Sequence, residues 1–346
     1  MSVSQASDKQ TPASPKARKL MTSAARSTEK GRFKRFASKI PGPLVGLVGI
    51  FILLSFLSPY FLTQNNLMNI LTQIAPTGVM AVGAFLVIII GGIDLSVGAT
   101  LGFSSMVMAW LYKVESWPFE VSLLIGLLVG ALIGFINGIL STVGKLQPFI
   151  ATLATMSAAG GLAVFITNGN TENGFPAWFD AITQSTFFGI PLQAFILLGV
   201  FLLAAFWLRF RPEGRALFAI GGNEEVARLS GVPVRTTKVM VYTIAGFLGA
   251  VAGLLVTSRL DSAQPTAGGG DLLNVIAVVV IGGASLAGGS GSLLGTFVGL
   301  LIIGVLNNGL ALLGVSSNLQ PVVLGCVIVA AVMTDRKASK AQGGGH

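Results

Sequence analysis

The sequence has few charged residues and almost no cysteine or histidine. Charged residues make up 10% of its 346 positions, whereas soluble proteins carry about 25%. The only cysteine, Cys326, lies in an apolar run, and the only histidine is His346. These are too few side chains for a disulfide framework or for a thiolate or imidazole metal site. We therefore expect neither a soluble globular domain nor a cofactor bound by this chain.

Apolar residues and glycine are abundant instead. Hydrophobic residues make up 53% of the chain, and many of the 45 glycines lie inside apolar runs. A helix needs roughly 20 apolar residues to cross a bilayer, and small residues let such helices pack closely. The sequence predicts an all-α polytopic membrane protein with about ten transmembrane helices, some of them short or broken. The predicted spans within the domain 44–334 are 44–63, 67–90, 95–112, 119–142, 148–167, 192–209, 238–258, 272–287, 291–313 and 318–334.

The basic residues are concentrated at one end and in particular connections. Ten of the 22 Lys and Arg residues precede Pro41. We therefore predict a disordered basic tail over 1–43 whose charge holds the N-terminus in the cytoplasm. Lys145, the loop 210–237 and the tail 335–346 fall on the same side in a ten-span arrangement. The other side has only Lys113 and Arg259, together with six of the 13 acids. This asymmetry predicts that both termini are cytoplasmic. Because membrane topology accounts for the positive charge, we expect no nucleic-acid partner.

The loop 210–237 contains a helix signal. Asn223 can cap a short helix from Glu224 to Ser230 that stops at Gly231. Glu224 and Glu225 lie in its first turn, where the helix dipole favours anions. A short, capped, charged helix between two spans is either a docking segment for a cytoplasmic partner or a solvated loop helix. The residues alone leave both interpretations open.

Asp94 is the only charged residue between Ile74 and Leu111. A carboxylate at the bilayer centre costs about 2.5–3.5 kcal/mol on insertion scales. It either lines a transport pathway together with Ser96, or caps a helix that begins at Leu95.

Two amides, Asn137 and Asn308, lie inside apolar spans. They are either hydrogen-bonded links between helices or contacts for a polyhydroxylated solute.

The connection 168–191 contains no Lys or Arg and is predicted to lie outside. Its aromatic residues Phe175, Trp178 and Phe179 are predicted to anchor the chain at the membrane interface. A docking patch for an outside partner is the second interpretation.

No nucleotide-binding loop of the G-x-x-x-x-G-K-[ST] type occurs in the sequence. The glycine-rich stretch 282–295, GGASLAGGSGSLLG, lies between apolar spans, which favours helix packing and a tight turn. The chain itself is therefore not expected to hydrolyse ATP.

Several segments in the order of the chain resemble a known family. These are GGIDLSVG at 91–98, QPFIATLATM at 147–156, AIGGNEEVARLSGVPV at 219–234 and VVIGGASLAGGSGSLLGT at 279–296. They are similar to inner-membrane permeases of bacterial ABC importers of the ribose, xylose and arabinose type, most closely the ribose-type permease. The resemblance covers roughly 45–335.

The resemblance implies partners that composition and spacing do not. Such a permease pairs with a second permease subunit, identical or not, in the lipid bilayer. Cytoplasmic ATPase subunits use ATP and Mg, and a periplasmic binding protein delivers a monosaccharide. The segment that couples the permease to the ATPase is implied to be Gly222, Asn223, Glu224, Glu225, Arg228, Leu229, Ser230 and Gly231. The alternative function is a secondary transporter or channel that uses Asp94 as an ion site.

Overall fold

The computed structural model describes residues 42–327 and residue 329. Three predicted regions fall outside these residues. They are the N-terminal tail apart from residues 42 and 43, the C-terminal tail, and the final part of the last predicted span. The described chain is mainly helical, and its short strands form two small antiparallel pairs. The elements in chain order are α1 (Gly42–Leu57), α2 (Gln64–Ile89), α3 (Val97–Lys113), α4 (Phe119–Thr142), α5 (Pro148–Ile166), β1 (Glu172–Asn173), α6 (Ala177–Gln184), β2 (Thr186–Phe187), β3 (Ile190–Pro191), α7 (Leu192–Phe210), α8 (Pro212–Gly222), α9 (Glu224–Leu229), α10 (Val234–Leu260), β4 (Ser262–Ala263), α11 (Asp271–Ile281) and α12 (Leu293–Leu312). A further helical segment runs through 320–327.

The predicted all-α membrane architecture is confirmed. Six of the described helices (α2, α4, α5, α7, α10 and α12) are long and apolar enough to cross a membrane. The helices α1 and α11 are shorter and also apolar. The predicted span 119–142 matches α4 at both ends, whereas the predicted span 272–287 is wrong at its end, since α11 stops at Ile281.

A glycine stripe on α4 brings it into close contact with α10. Gly126, Gly130, Gly134 and Gly138 recur every four residues and therefore share one face of the helix. A Cβ on Gly134 would overlap the carbonyl oxygen of Tyr242, and one on Gly246 would overlap the carbonyl oxygen of Gly130. The two backbones therefore approach more closely than larger residues would allow, which is the usual packing of membrane helices.

The central element of the bundle is α2. Every residue from Gly78 to Ile89 is buried, because α10, α11, α12 and α7 surround it. Its other end carries Thr63, whose side chain accepts a hydrogen bond from the Asn66 N–H and caps the helix.

The connections between helices form two opposite faces. The basic face consists of residues 90–96, 143–147, 211–233 and 282–292; Gly288 and Gly289 lie against Gly91 and Gly222 there. The far face consists of 58–63, 114–118, 167–191 and 261–264, where β1 pairs with β4. Lys113 Nζ donates to the Gly174 carbonyl across this second face. These two faces correspond to the two sides of the membrane predicted from the distribution of charged residues.

The far-face aromatics do not all behave as predicted. Phe175 and Phe179 are buried and pack edge-on against each other and against Phe119. The prediction of an interfacial anchor is therefore wrong for these two side chains, because α6 folds back over the bundle. Only Trp178 is exposed.

Candidate functional site

The short helix α9 begins and ends as the sequence predicts, to within one residue. The Asn223 side chain accepts a hydrogen bond of 3.0 Å from the Val226 N–H, which satisfies one of the free donors of the first turn. After Leu229 the chain leaves the helix through Ser230 and Gly231, whose φ of +82° suits glycine. The Val232 N–H then returns to the Ala227 carbonyl. Both ends of α9 are therefore fixed by local hydrogen bonds.

One side of α9 is anchored and the other is free. Ala227 is 3% exposed and packs into the main core, whereas Val226 is 57% exposed and Leu229 is 78% exposed. Two apolar side chains on a charged surface helix are unfavourable in water. They are well placed to be covered by another protein.

Two ion pairs flank these apolar residues. Arg228 Nη2 lies 2.6 Å from Glu225 Oε1, and Lys238 Nζ pairs with Glu224 Oε2. Glu225 raises the pKa of Arg228 further above its ordinary value by hydrogen bonding and charge, so the guanidinium stays ionised. Exposed ion pairs contribute little to the stability of a fold, so we expect these two pairs to set the shape and charge of the surface.

The helix α8 connects α9 to the membrane bundle, and it was not predicted from the sequence. Leu217 and Ile220 on α8 are almost fully buried in the main core. A Cβ on Gly221 would overlap the carbonyl oxygen of Ile89, the last residue of α2. The same carbonyl accepts the Gly289 N–H at 2.9 Å. Three segments thus meet backbone to backbone directly beside α9.

A cleft of about 460 Å³ lies next to α9 on the basic face. Its walls come from the end of α4, from α9 and from the start of α10. The lining side chains carry both signs of charge, among them Lys145, Arg228, Arg235, Lys238, Glu224 and Glu225. The charged residues Glu224, Glu225 and Arg228 of α9 therefore also form part of the wall of this cleft.

The residues Asp94, Ser96 and Asn137 are brought together in one buried network. Asp94 Oδ1 accepts from the Ser96 N–H at 2.8 Å and from the Ser96 hydroxyl at 2.6 Å. Asn137 Nδ2 donates to Ser96 Oγ at 2.8 Å, and Thr155 Oγ1 donates to Asn137 Oδ1 at 2.6 Å. The network joins the connection 90–96 to α4 and α5. Its partner Thr155 was not singled out in the sequence, where only its position in the apolar TLATM segment marks it.

The helix after this network begins at Val97, not at Leu95. Asp94 therefore stands two residues before the N-cap residue Ser96, and it holds the turn by accepting a hydrogen bond from the Ser96 N–H. Whether Asp94 also faces a solute stays a prediction.

The structure places Asn308 far from this network. It exchanges two hydrogen bonds with Asn66, of 3.0 and 2.8 Å, and so links α12 to the start of α2. Asn66 Nδ2 also donates to the Phe61 carbonyl. Both oxygen atoms of the amide pair are therefore engaged with protein donors, which is the geometry of a link between helices.

Comparison with known proteins identifies the family. The family model described as the branched-chain amino acid transport system permease component matches residues 66–332. The chain belongs to this permease family. The permease is accordingly an integral inner-membrane protein, and its family members are transport components, not enzymes. No solved structure matches the chain.

Curated relatives match the permease over most of its length. The ribose import permease protein RbsC of Bacillus subtilis is 50% identical over 300 residues, which cover 86% of this chain and 93% of that protein. The Escherichia coli (strain K12) protein of the same name is 44% identical over 301 residues, covering 85% and 92%. The D-allose transport system permease protein AlsC of E. coli is 40% identical over 285 residues, covering 82% and 87%.

Proposed function

We propose that the permease forms the membrane pathway of an ATP-driven ABC importer for a monosaccharide, namely a ribose-like pentose or a related sugar or polyol. The observation that carries this proposal is the identity of 40–50% with ribose and allose permeases over at least 82% of the chain. The family model itself is described for branched-chain amino acids. The more similar individual relatives favour a sugar.

The basic face would lie in the cytoplasm, with both termini on that side. Supporting this orientation, the face carries Lys145 and the six basic residues between Arg209 and Lys238. The far face and the helix ends beside it carry only two basic residues, Lys113 and Arg259, and six of the 13 acids. Lys and Arg are retained in cytoplasmic loops. This orientation puts α9 where an ATPase subunit can reach it and leaves the far face to a periplasmic binding protein.

In this proposal ATP and Mg are used by separate ATPase subunits, and α9 receives their movement. Val226 and Leu229 would enter a groove of the ATPase, and the ion pairs beside them would set the position of α9 in that groove. The packing of Gly221 on Ile89 offers a rigid route from α9 into the central helix α2. A second permease subunit, identical or not, would complete the pathway in the lipid bilayer.

A secondary transporter or channel driven through Asp94 is the less favoured function. Such a site needs a carboxylate that exchanges protons or ions with a pathway. Asp94 is buried, and its Oδ1 is held by two donors from Ser96. That arrangement supports a structural turn.

The coupling role of α9 can be tested with a double substitution, Val226→Ala and Leu229→Ala, which removes exposed apolar surface while keeping a strong helix former. Fully burying each original side chain contributes about 1.5–3 kcal/mol, so we expect at least tenfold weaker association with the ATPase subunit and a similar loss of ATP-dependent D-ribose uptake.

The matched control is Phe188→Ala, which removes a side chain that is 90% exposed on the far face. It should leave ATPase association unchanged. Association is measured by co-purification in detergent, and uptake in proteoliposomes with the binding protein. Equal association of both variants would contradict the proposal.

A further inference from the structure

A second cleft of about 460 Å³ opens between α2, α10, α11 and α12. Its α2 wall consists of Asn69, Gln73 and Thr77, which are spaced by four residues and so share one face of the helix. Asn69 lies near the far-face end of α2 and Thr77 at its midpoint, a distance of about 12 Å along the axis. The cleft thus extends from the far face to the middle of the bundle. Asn274 and Asn307 add further amides to its walls.

The exposure pattern of α2 indicates which surroundings suit this cleft. From Leu67 to Ile89 the only exposed residues of the helix are Asn69 and Gln73. The Gln73 amide donates to Asn69 Oδ1 at 3.2 Å, which leaves the other groups of both amides without a protein partner among the described side chains. Unsatisfied amides in hydrocarbon cost several kcal/mol. An exposed pair of amides on an otherwise buried spanning helix therefore indicates contact with water or with a polar ligand.

The wall opposite α2 is built from a broken segment, which is compatible with a water-filled cleft. After β4 the chain turns back into the bundle, and Gly268 packs against Gly98 in the first turn of α3. The helix α11 then begins at Asp271 and has only 11 residues, a length of about 16 Å against a hydrocarbon core of about 30 Å. Irregular backbone at this depth is tolerated where it is buried in protein or lines a water-filled cavity.

The chemistry of the lining suits a polyhydroxylated solute. Side-chain amides both donate and accept hydrogen bonds, as sugar hydroxyls do. Arg259 lines the same cleft, and its Nη1 has no hydrogen-bond partner in the described part of the chain. The volume lies within the range of about 300–1,000 Å³ found for small-molecule sites. No aromatic ring is among the lining residues, so the stacking that would hold a sugar tightly is not provided.

We propose that this cleft is the outer half of the sugar pathway. The amides of Asn69, Gln73 and Asn274 form hydrogen bonds with the hydroxyl groups of a monosaccharide as it moves along α2. The inference rests on the proposed import function and adds to it the surface on which the solute moves. Arg259 and Asp271 also line the cleft, but without a stacking ring the lining holds the sugar weakly and lets it pass. Selectivity is then left to the protein that delivers it.

Access is tested first, by cysteine labelling. In a Cys326→Ser background, Gln73→Cys should react from the far side with a membrane-impermeant thiol reagent. Leu203→Cys, at a side chain that is 71% exposed on α7, is the matched control and should remain unlabelled because it faces lipid. A Gln73→Cys thiol that reacts no faster than the control would overturn the proposal.

Transport is tested with Asn69→Leu and Gln73→Leu combined. Leucine is favourable in a helix and in lipid, so the variant should fold and should keep its ATPase stimulation by sugar-loaded binding protein. Losing two hydrogen-bonding groups should reduce D-ribose uptake about tenfold per ATP hydrolysed. Unchanged uptake would refute the proposed pathway. Loss of the subunit assembly would also refute it, because it would identify the cleft as an interface between copies of the permease. A failure of the import function itself is distinguishable, because the unsubstituted permease would then show no ATP-driven uptake.

Discussion

The contact between Gly221 and Ile89 offers a sharp test of how movement passes from α9 into the membrane bundle. A Cβ at position 221 would approach the Ile89 carbonyl oxygen far closer than real Cβ contacts allow, and it would lie 3.0 Å from the carbonyl carbon. Backbone cannot yield as a side chain can, so Gly221→Ala must push α8 away from the end of α2.

The cost has two parts. Overpacking a closely packed site costs about 1–3 kcal/mol. The displaced carbonyl of Ile89 also risks its 2.9 Å hydrogen bond from the Gly289 N–H, which adds about 1 kcal/mol. A total of about 2–4 kcal/mol shifts the balance between attached and detached α8 by about 30- to 700-fold.

A glycine outside the coupling segment provides the control. A Cβ on Gly199 of α7 meets nothing within 4 Å, and alanine is favoured over glycine in a helix by about 0.5–1 kcal/mol. Gly199→Ala should therefore couple normally. With ATPase and binding protein in proteoliposomes, we expect Gly221→Ala to hydrolyse ATP while its uptake falls at least tenfold. The reasoning is refuted if both alanine variants transport equally.

Two further outcomes follow from the local contacts. Asn223→Ala removes the cap of α9 and should cost about 1 kcal/mol of helix stability, seen as weaker ATPase association that Asn223→Ser restores; an unaffected alanine variant would contradict the capping role. Asn137→Ala removes two hydrogen bonds between helices, each worth about 0.6 kcal/mol in membrane bundles, and should lower the thermal unfolding temperature in detergent without changing ATPase association. An unchanged unfolding temperature would contradict the structural role of the network.

Much of the fold can be predicted from the pattern of apolar residues. The helix α4 is predicted to the residue because Pro118 precedes it and polar residues follow it. The helix α11 is not, because the apolar run continues past Ile281 through Ala284 and Leu286. The true end is marked by Gly282 and Gly283, the latter at a φ of +84°, a signal that hydropathy does not contain.

The coupling surface is predictable only in part. The cap at Asn223 and the stop at Gly231 are local signals, so α9 is found from the sequence. The helix α8 is missed because its residues PEGRALFAIGG resemble a polar loop. Its stability comes from the burial of Leu217 and Ile220 against distant helices, which no local pattern reveals.

The amide-lined cleft could not have been found from the sequence. Asn69 and Gln73 resemble ordinary polar residues near the start of a span. Their meaning depends on the other residues of α2 from Leu67 to Ile89 being partly or fully buried and on α11 being too short to cross the bilayer. Both facts are properties of the packed bundle. The hydrogen bonds between Asn308 and Asn66 likewise depend on helix packing, because the two residues lie far apart in the sequence.

The central claim is that α9 lies in the cytoplasm and is covered by an ATPase subunit. The most direct measurement is thiol labelling of Leu229→Cys in a Cys326→Ser background, with an impermeant maleimide applied to intact cells and to inside-out vesicles. We expect labelling in inside-out vesicles alone, and protection of the thiol when the ATPase subunit is added back. Labelling in intact cells, or labelling that the ATPase subunit does not reduce, would contradict it.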